Sequence, residues 1–105
     1  ASLGDIFNLA DLDRRPEPVA QPPPIYPSHL KRADLDADLV IEFVVDTNGN
    51  AINAVVVRST NHAFDETTLR GIEKWRFRPG MRGGRKVNTR MSVPISFHLD
   101  EVRQP

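Results

Sequence analysis

The sequence predicts an α+β domain: a small three-stranded antiparallel sheet with two helices packed on one face, in α-β-β-α-β order. Three observations carry that reading. Every odd position from Val87 to Leu99 is apolar or near-apolar (Val87, Thr89, Met91, Val93, Ile95, Phe97, Leu99), which is the period of a half-buried strand. A second alternation, Leu39, Ile41, Phe43 and Val45, runs into Asp46-Thr47-Asn48-Gly49-Asn50, where Asn48-Gly49 supplies the positive φ of a tight hairpin. Leu69, Ile72 and Trp75 then fall on one face at helical spacing.

Taken in order, residues 1–15 hold only a weak apolar pattern (Leu3, Ile6, Phe7, Leu9, Leu12). Five of the nine prolines follow between Pro16 and Pro24, a composition that favours extended chain and builds no core by itself. Residues 1–21 therefore read as a lead-in, and 22–105 as the domain. Pro27 suits the first turn of a short helix over about 27–33. The second strand, Ile52 to Ser59, contains Val55-Val56-Val57, a run that conceals which face points inward. A bulge after the hairpin turn would resolve this, at a position the pattern does not give. Asp65 is the expected N-cap of the second helix, with Phe64 and Leu69 as a hydrophobic staple and Pro79-Gly80 closing the segment. Gly83-Gly84 turns the chain into the last strand.

Pro94 interrupts that strand. Proline brings no N–H to a ladder and is confined to edges or bulges. Neighbouring residues of an antiparallel strand aim their backbone groups at opposite sides. Arg90, Ser92, Ser96 and His98 are thus expected to face an unpaired edge. Such an edge is a hazard unless it is covered or captures a partner strand. The chain looks built to bind, not to catalyse.

Composition is compatible with that. The 105 residues fit one small domain, 39% of them hydrophobic, with no apolar run of the roughly 20 residues a membrane span needs. Residues 1–10 lack the features of a signal peptide, so an export signal or anchor would lie upstream. There is no cysteine, which excludes thiol chemistry and leaves the compartment open. Net charge is zero, yet residues 1–46 carry nine acids against four bases, and residues 70–90 carry eight bases against Glu73 alone. A basic lobe of this kind attracts anionic partners or is simply a solvated face. Trp75 and Phe77 are its only aromatics and suit a core better than a stacking platform, so nucleic-acid binding is not expected. His29, His62 and His98 have no metal-ligand spacing, and Asp34, Asp36 and Asp38 lack the glycine and glutamate of a calcium loop. Neither a nucleophile elbow nor a phosphate loop is present. No enzyme activity, cofactor or metal is expected.

Four short segments then fall in a telling order: Pro24-Ile25-Tyr26-Pro27, Phe43-Val44-Val45-Asp46 with Gly49, Trp75-Arg76-Phe77-Arg78-Pro79-Gly80, and Pro94-Ile95-Ser96-Phe97. Together, over roughly residues 22–99, they resemble the C-terminal domain of TonB proteins. The resemblance implies a periplasmic domain of an inner-membrane-anchored energy transducer, partnered by ExbB and ExbD. Such a domain binds the TonB box of outer-membrane transporters for siderophores, haem or cobalamin-like cargo. It further implies that the box adds as a strand along Arg90, Met91, Ser92, Val93, Pro94, Ile95 and Ser96 and touches Pro24, Ile25 and Tyr26. Two departures stand out: Ala37 where many members carry glycine, and Pro23-Pro24-Ile25 in place of a polar residue near Tyr26-Pro27. Pro94 also removes one main-chain bond from the edge, and the segment Ile6–Leu12 is a possible competitor for it. A monomer or weak dimer is expected, strand exchange being open to edge-strand domains. The alternatives are a TonB-like interaction domain on another envelope protein, or a binder of an anionic polymer through residues 70–90.

Overall fold

The computed structural model describes residues 4–99. In chain order the strands and helices are β1 (Ile6–Phe7), β2 (Glu17–Ala20), α1 (Ser28–Arg32), β3 (Ala37–Val45), β4 (Ala51–Ser59), α2 (Asp65–Ile72), β5 (Arg76–Arg78), β6 (Gly80–Arg82) and β7 (Arg85–Phe97). The architecture is α+β, built on β3, β4 and β7. Antiparallel β3 lies in the middle, with β7 on one side and β4 on the other. The expected three strands are joined by four short ones: β1 and β6 pair with β7, and β2 pairs with β5 in a small second sheet.

The alternation along β3 sets the core. Ala37, Leu39, Ile41, Phe43 and Val45 are all buried and pack with Leu30 of α1, Phe64, Ile72 of α2, Trp75, Phe77 and Phe97. Burying a side chain such as Phe43 or Ile41 contributes about 1.5–3 kcal/mol, so this row and the side chains it meets are a main source of stability. The hairpin from β3 to β4 closes as its sequence dictates. The Asp46 carboxylate accepts the N–H groups of Asn48 and Asn50, each at 2.9 Å. Gly49 takes φ +84°, and a Cβ there would collide with the Phe77 carbonyl oxygen. That close approach allows the Phe77 N–H to donate to the Gly49 carbonyl at 2.8 Å.

The valine run is resolved by two register shifts in β4. One lies between the pairs Glu42↔Val55 and Val44↔Ile52, the other between Val40↔Arg58 and Ile41↔Val56. Asn53, inside the first, has φ +55°, a left-handed conformation asparagine tolerates. Val56 consequently faces the core, while Val55 and Val57 are exposed.

Two expectations for the second helix need correction. Asp65 is its first residue rather than its N-cap. The cap sits four residues earlier, where the Asn61 side chain accepts the Ala63 N–H at 3.0 Å and opens a 3-10 turn, His62–Phe64, that leads into α2. The helix also ends at Ile72, not near Pro79-Gly80. Trp75 lies beyond it, in the turn whose N–H donates to the Ile72 carbonyl. Its helical spacing from Ile72 arises because the turn continues the winding for one step before β5 begins. The last strand ends at Phe97, two residues short of Leu99.

The lead-in is docked along the domain. β2 pairs antiparallel with β5, Pro16 is buried, and the Trp75 indole N–H donates to the Pro22 carbonyl at 2.9 Å.

Candidate strand-addition edge

β7 pairs with β3 without interruption, from Ala37↔Phe97 to Val45↔Thr89. Pro94 stands opposite Val40 in this ladder. An antiparallel ladder accommodates proline where the N–H would point away from the partner strand. The backbone groups of Arg90, Ser92 and Ser96 share that parity and point the same way. On that side β1 covers Asn88 and Thr89, and among the described residues no strand pairs with Arg90–Phe97.

Side chains along this stretch alternate in exposure. Arg90, Ser92, Pro94 and Ser96 are exposed, whereas Met91, Val93 and Ile95 are half-buried against the core cluster. An arriving strand would therefore meet an apolar row on the core side and a mostly polar row on the other, with one positive charge at Arg90.

Each end of the edge is held. At the C-terminal end, Tyr26, Phe64 and Phe97 form an aromatic triad: the Tyr26 ring meets Phe64 at 5.7 Å and Phe97 at 5.5 Å between centroids, both edge-on, and Phe64 lies 4.9 Å from Phe97. The Tyr26 hydroxyl donates to the Leu35 carbonyl. Beside the triad, Asp38 Oδ1 accepts from the Ser96 hydroxyl at 2.7 Å and lies 2.9 Å from His98 Nε2, while His98 Nδ1 is 3.4 Å from Asp36 Oδ2. The hydrogen bonds from His98 and then Ser96 hold the Asp38 carboxyl below its usual range. The bond to Asp38 raises His98, with Asp36 assisting. Asp38, Ser96 and His98 make a partly exposed polar clasp between β3 and the end of β7, with Asp36 beside it.

Of the residues singled out by sequence, Arg90, Met91, Ser92, Val93, Pro94, Ile95 and Ser96 form one continuous edge. Tyr26 meets β7 at Phe97. Pro24 and Ile25 are held by α2: Pro24 packs where a Cβ on Gly71 would fall, at 2.8 Å, and the Ile25 carbonyl accepts from the Thr67 hydroxyl at 2.6 Å. The Ile25 side chain is 71% exposed, beside a groove of about 760 Å³ that runs between Pro22–Pro27 and α2 and has no lining residue from β7. Three bases of the basic lobe have partners within the domain. Arg70 pairs with Glu66, the Arg76 guanidinium donates to the carbonyls of Glu73 and Trp75, and Arg82 sits over the Phe7 ring.

Sequence reasoning did not find the clasp; it named Ile6–Leu12 as a competitor for the edge, and the structure pairs only Ile6–Phe7 of that segment with β7, at Asn88–Thr89. Asp38 and Ser96 are linked by cross-strand register alone, and no local pattern announces the pairing of Ile6–Phe7 with Asn88–Thr89.

Comparison with known proteins identifies the fold. The family model described as "Gram-negative bacterial TonB protein C-terminal" matches residues 22–99. The chain belongs to the TonB C-terminal domain family. Relatives include Protein TonB of Xanthomonas campestris pv. campestris (strain B100), 33% identical over 79 residues that span 74% of this chain and 35% of the relative. Protein TonB of Vibrio cholerae is 30% identical over 82 residues, spanning 77% of this chain and 34% of the relative. The chain thus spans about a third of the length of these curated TonB proteins. Among solved structures, the solution NMR structure of the Pseudomonas aeruginosa TonB C-terminal domain superposes with a TM-score of 0.70 at 24% identity, covering 90% of this chain and 94% of that one. The TonB2 protein from Vibrio anguillarum gives 0.60 at 21%, covering 93% and 91%. This family is not one of enzymes.

Proposed function

We propose that this chain is the periplasmic C-terminal domain of a TonB-type energy transducer, and that it captures the TonB box of an outer-membrane transporter as an added strand on β7. The observation that carries the reading is the regular side of β7 from Arg90 to Ser96, unpaired among the described residues, with a half-buried apolar row beside it. The whole protein would be anchored in the inner membrane and driven by ExbB and ExbD through residues outside this chain; among the described residues no helix is long and apolar enough to cross a membrane.

The chemistry of capture follows from parity. Arg90, Ser92 and Ser96 each present an N–H and a carbonyl, and Pro94 presents a carbonyl alone. Each bond formed contributes about 0.5–1.5 kcal/mol net, so about half of these seven groups, once paired, already offset much of the roughly 2–5 kcal/mol that ordering a flexible segment costs. Affinity is then decided by alternate guest side chains packed against Met91, Val93 and Ile95. A box with apolar residues at every second position fits, and an acidic residue on the other face would lie near Arg90. A strand pulled along its own axis loads these bonds together, which suits a domain that transmits force. Siderophores, haem or cobalamin-like compounds are the cargo class this reading implies.

The test is an amide-shift titration of the domain with a synthetic TonB-box peptide and a scrambled control. Shifts concentrated on Arg90–Ser96, spreading to Phe97 and Tyr26, are expected. A response confined to Arg70–Arg85, or none, would refute strand addition.

A further inference from the structure

β7 is 13 residues long, yet its outer side is shared. β1 lies parallel on Asn88 and Thr89, which leaves Arg90–Phe97. β1 does not continue along β7. After Phe7 the chain turns away at Asn8, whose carbonyl accepts the Asp11 N–H at 3.0 Å. It is then tied to the β6–β7 hairpin. The Asp13 and Arg14 N–H groups donate to the Met81 carbonyl at 2.9 and 3.2 Å, and the Met81 N–H returns a bond to Arg14 at 2.9 Å. The Asp13 carboxylate accepts from the Gly83 N–H at 2.6 Å, and the Arg82 guanidinium lies 5.1 Å from the Phe7 ring centroid. β1 is thus fixed by its continuation.

We propose that Ile6–Phe7 is an end stop for the captured strand: it closes the edge at Asn88–Thr89 and so sets where on β7, and over what length, a guest segment pairs. The proposal rests on the strand-addition reading above. One side of a strand position accepts one neighbour, so a guest and β1 must lie end to end. The open stretch from Arg90 to Phe97 spans about 26 Å at roughly 3.3 Å per residue.

Such a stop solves a problem the edge itself leaves open. A slip of one residue exchanges the two faces of a guest and is penalised by the apolar row. A slip of two residues keeps every side chain on its own face. Met91, Val93 and Ile95 are similar in size and polarity, so packing discriminates weakly against that slip. A physical barrier at Phe7 forbids it in the direction of Asn88.

The test uses the whole chain and its variant Ile6→Pro/Phe7→Pro, titrated with a TonB-box peptide of about eight residues and one lengthened to about twelve, either end being extended in turn. In the parent, every peptide is expected to shift Arg90–Ser96, leave the Asn88 and Thr89 amides in place, and bind alike. In the variant, one of the long peptides is expected to extend its shifts to Asn88 and Thr89 and to bind about tenfold more tightly than to the parent, through the main-chain bonds released there. Release of Ile6–Phe7 by a long peptide in the parent, or an unchanged footprint in the variant, would overturn the end stop while shifts on Arg90–Ser96 kept strand addition standing. Absence of shifts on Arg90–Ser96 with every peptide would remove both. Should the prolines disturb the β6–β7 hairpin, Ile6→Gly/Phe7→Gly keeps every N–H, weakens the strand by backbone entropy and by loss of its side-chain contacts, and is read the same way.

Discussion

The two edges of the central sheet are built in opposite ways. β4 is broken by two register shifts and carries a left-handed residue, Asn53, within nine residues. β7 runs in register with β3 over its whole length of contact, and Pro94 is accommodated without a shift. Bulges twist an edge and spoil its pairing geometry, a common protection against unwanted strand addition. β4 is therefore defended, although Val55 and Val57 leave it apolar. β7 is regular, and its open portion is delimited by β1 at one end and by Tyr26, Phe97 and the His98 clasp at the other. The difference teaches that the vulnerable geometry is retained only where the proposed strand capture would use it.

The sharpest way to break the contrast is to swap parity on β7. Val93 faces β3, opposite Ile41. Val93→Pro removes a donor from the interior ladder and should cost about 3 kcal/mol or more of stability, read from urea unfolding. Gly49→Ala tests the anchor of the other edge. It places a Cβ against the Phe77 carbonyl at φ +84° and should cost about 2 kcal/mol, with peptide binding by the folded protein unchanged. Ser92→Pro is one residue from Val93 but faces outward. Its stability should change by less than about 1 kcal/mol, while box-peptide affinity should fall about tenfold, one ladder bond being lost and a ring placed against the guest. If Ser92→Pro and Val93→Pro prove equally destabilising, the assignment of inner and outer parity is wrong.

The β4 defence is tested by straightening it. Deleting Val57 removes the extra residue between Arg58 and Val56 while leaving their partners, Val40 and Ile41, in place. The ladder becomes regular there, and self-association measured by sedimentation should rise above that of the parent. A variant no more prone to associate would show that β4 is protected by something other than its bulges.

These contrasts also explain what the sequence disclosed. The alternations of β3 and β7 are written residue by residue because each strand has one face on the core, so Leu39 to Val45 and Val87 to Phe97 could be read directly. Pro94 disclosed the free edge because a missing N–H is a local chemical fact with a topological consequence. The bulges escaped because Val55, Val56 and Val57 satisfy either face, and their placement depends on pairing with β3. Trp75 misled because a turn continuing a helix preserves its spacing for one step. The pairing of Ile6–Phe7 with Asn88–Thr89, of Glu17–Ala20 with Arg76–Arg78, and of Asp38 with Ser96 and His98 all depend on contacts between distant segments. Short strands carry too few residues for a period to show.

The smallest expected effect concerns the clasp that ends the open edge. His98 is raised above its ordinary value of 6.5 by its bond to Asp38, so its contribution is complete below about pH 6.5 and is lost as pH rises through the raised value. Asp38 is lowered below its ordinary 3.8 by its bonds to His98 and Ser96, so its contribution is present above that value and is lost as pH falls through the lowered one. The clasp is therefore strongest between about pH 4 and 6.5. Exposure of Asp38 and the half-exposed position of His98 keep the effect on global stability small, and it should be read locally. In an NMR titration, His98 of the parent should lose its proton above 6.5, and Asp38→Asn should bring that midpoint back toward the ordinary value. The Ser96 and Phe97 amides, which report the end of the edge, should move with the same midpoint in the parent and lose that response in Asp38→Asn. A His98 midpoint unmoved by Asp38→Asn would mean that the clasp does not hold this end of β7, and that the aromatic contacts of Tyr26 with Phe64 and Phe97 fix it alone.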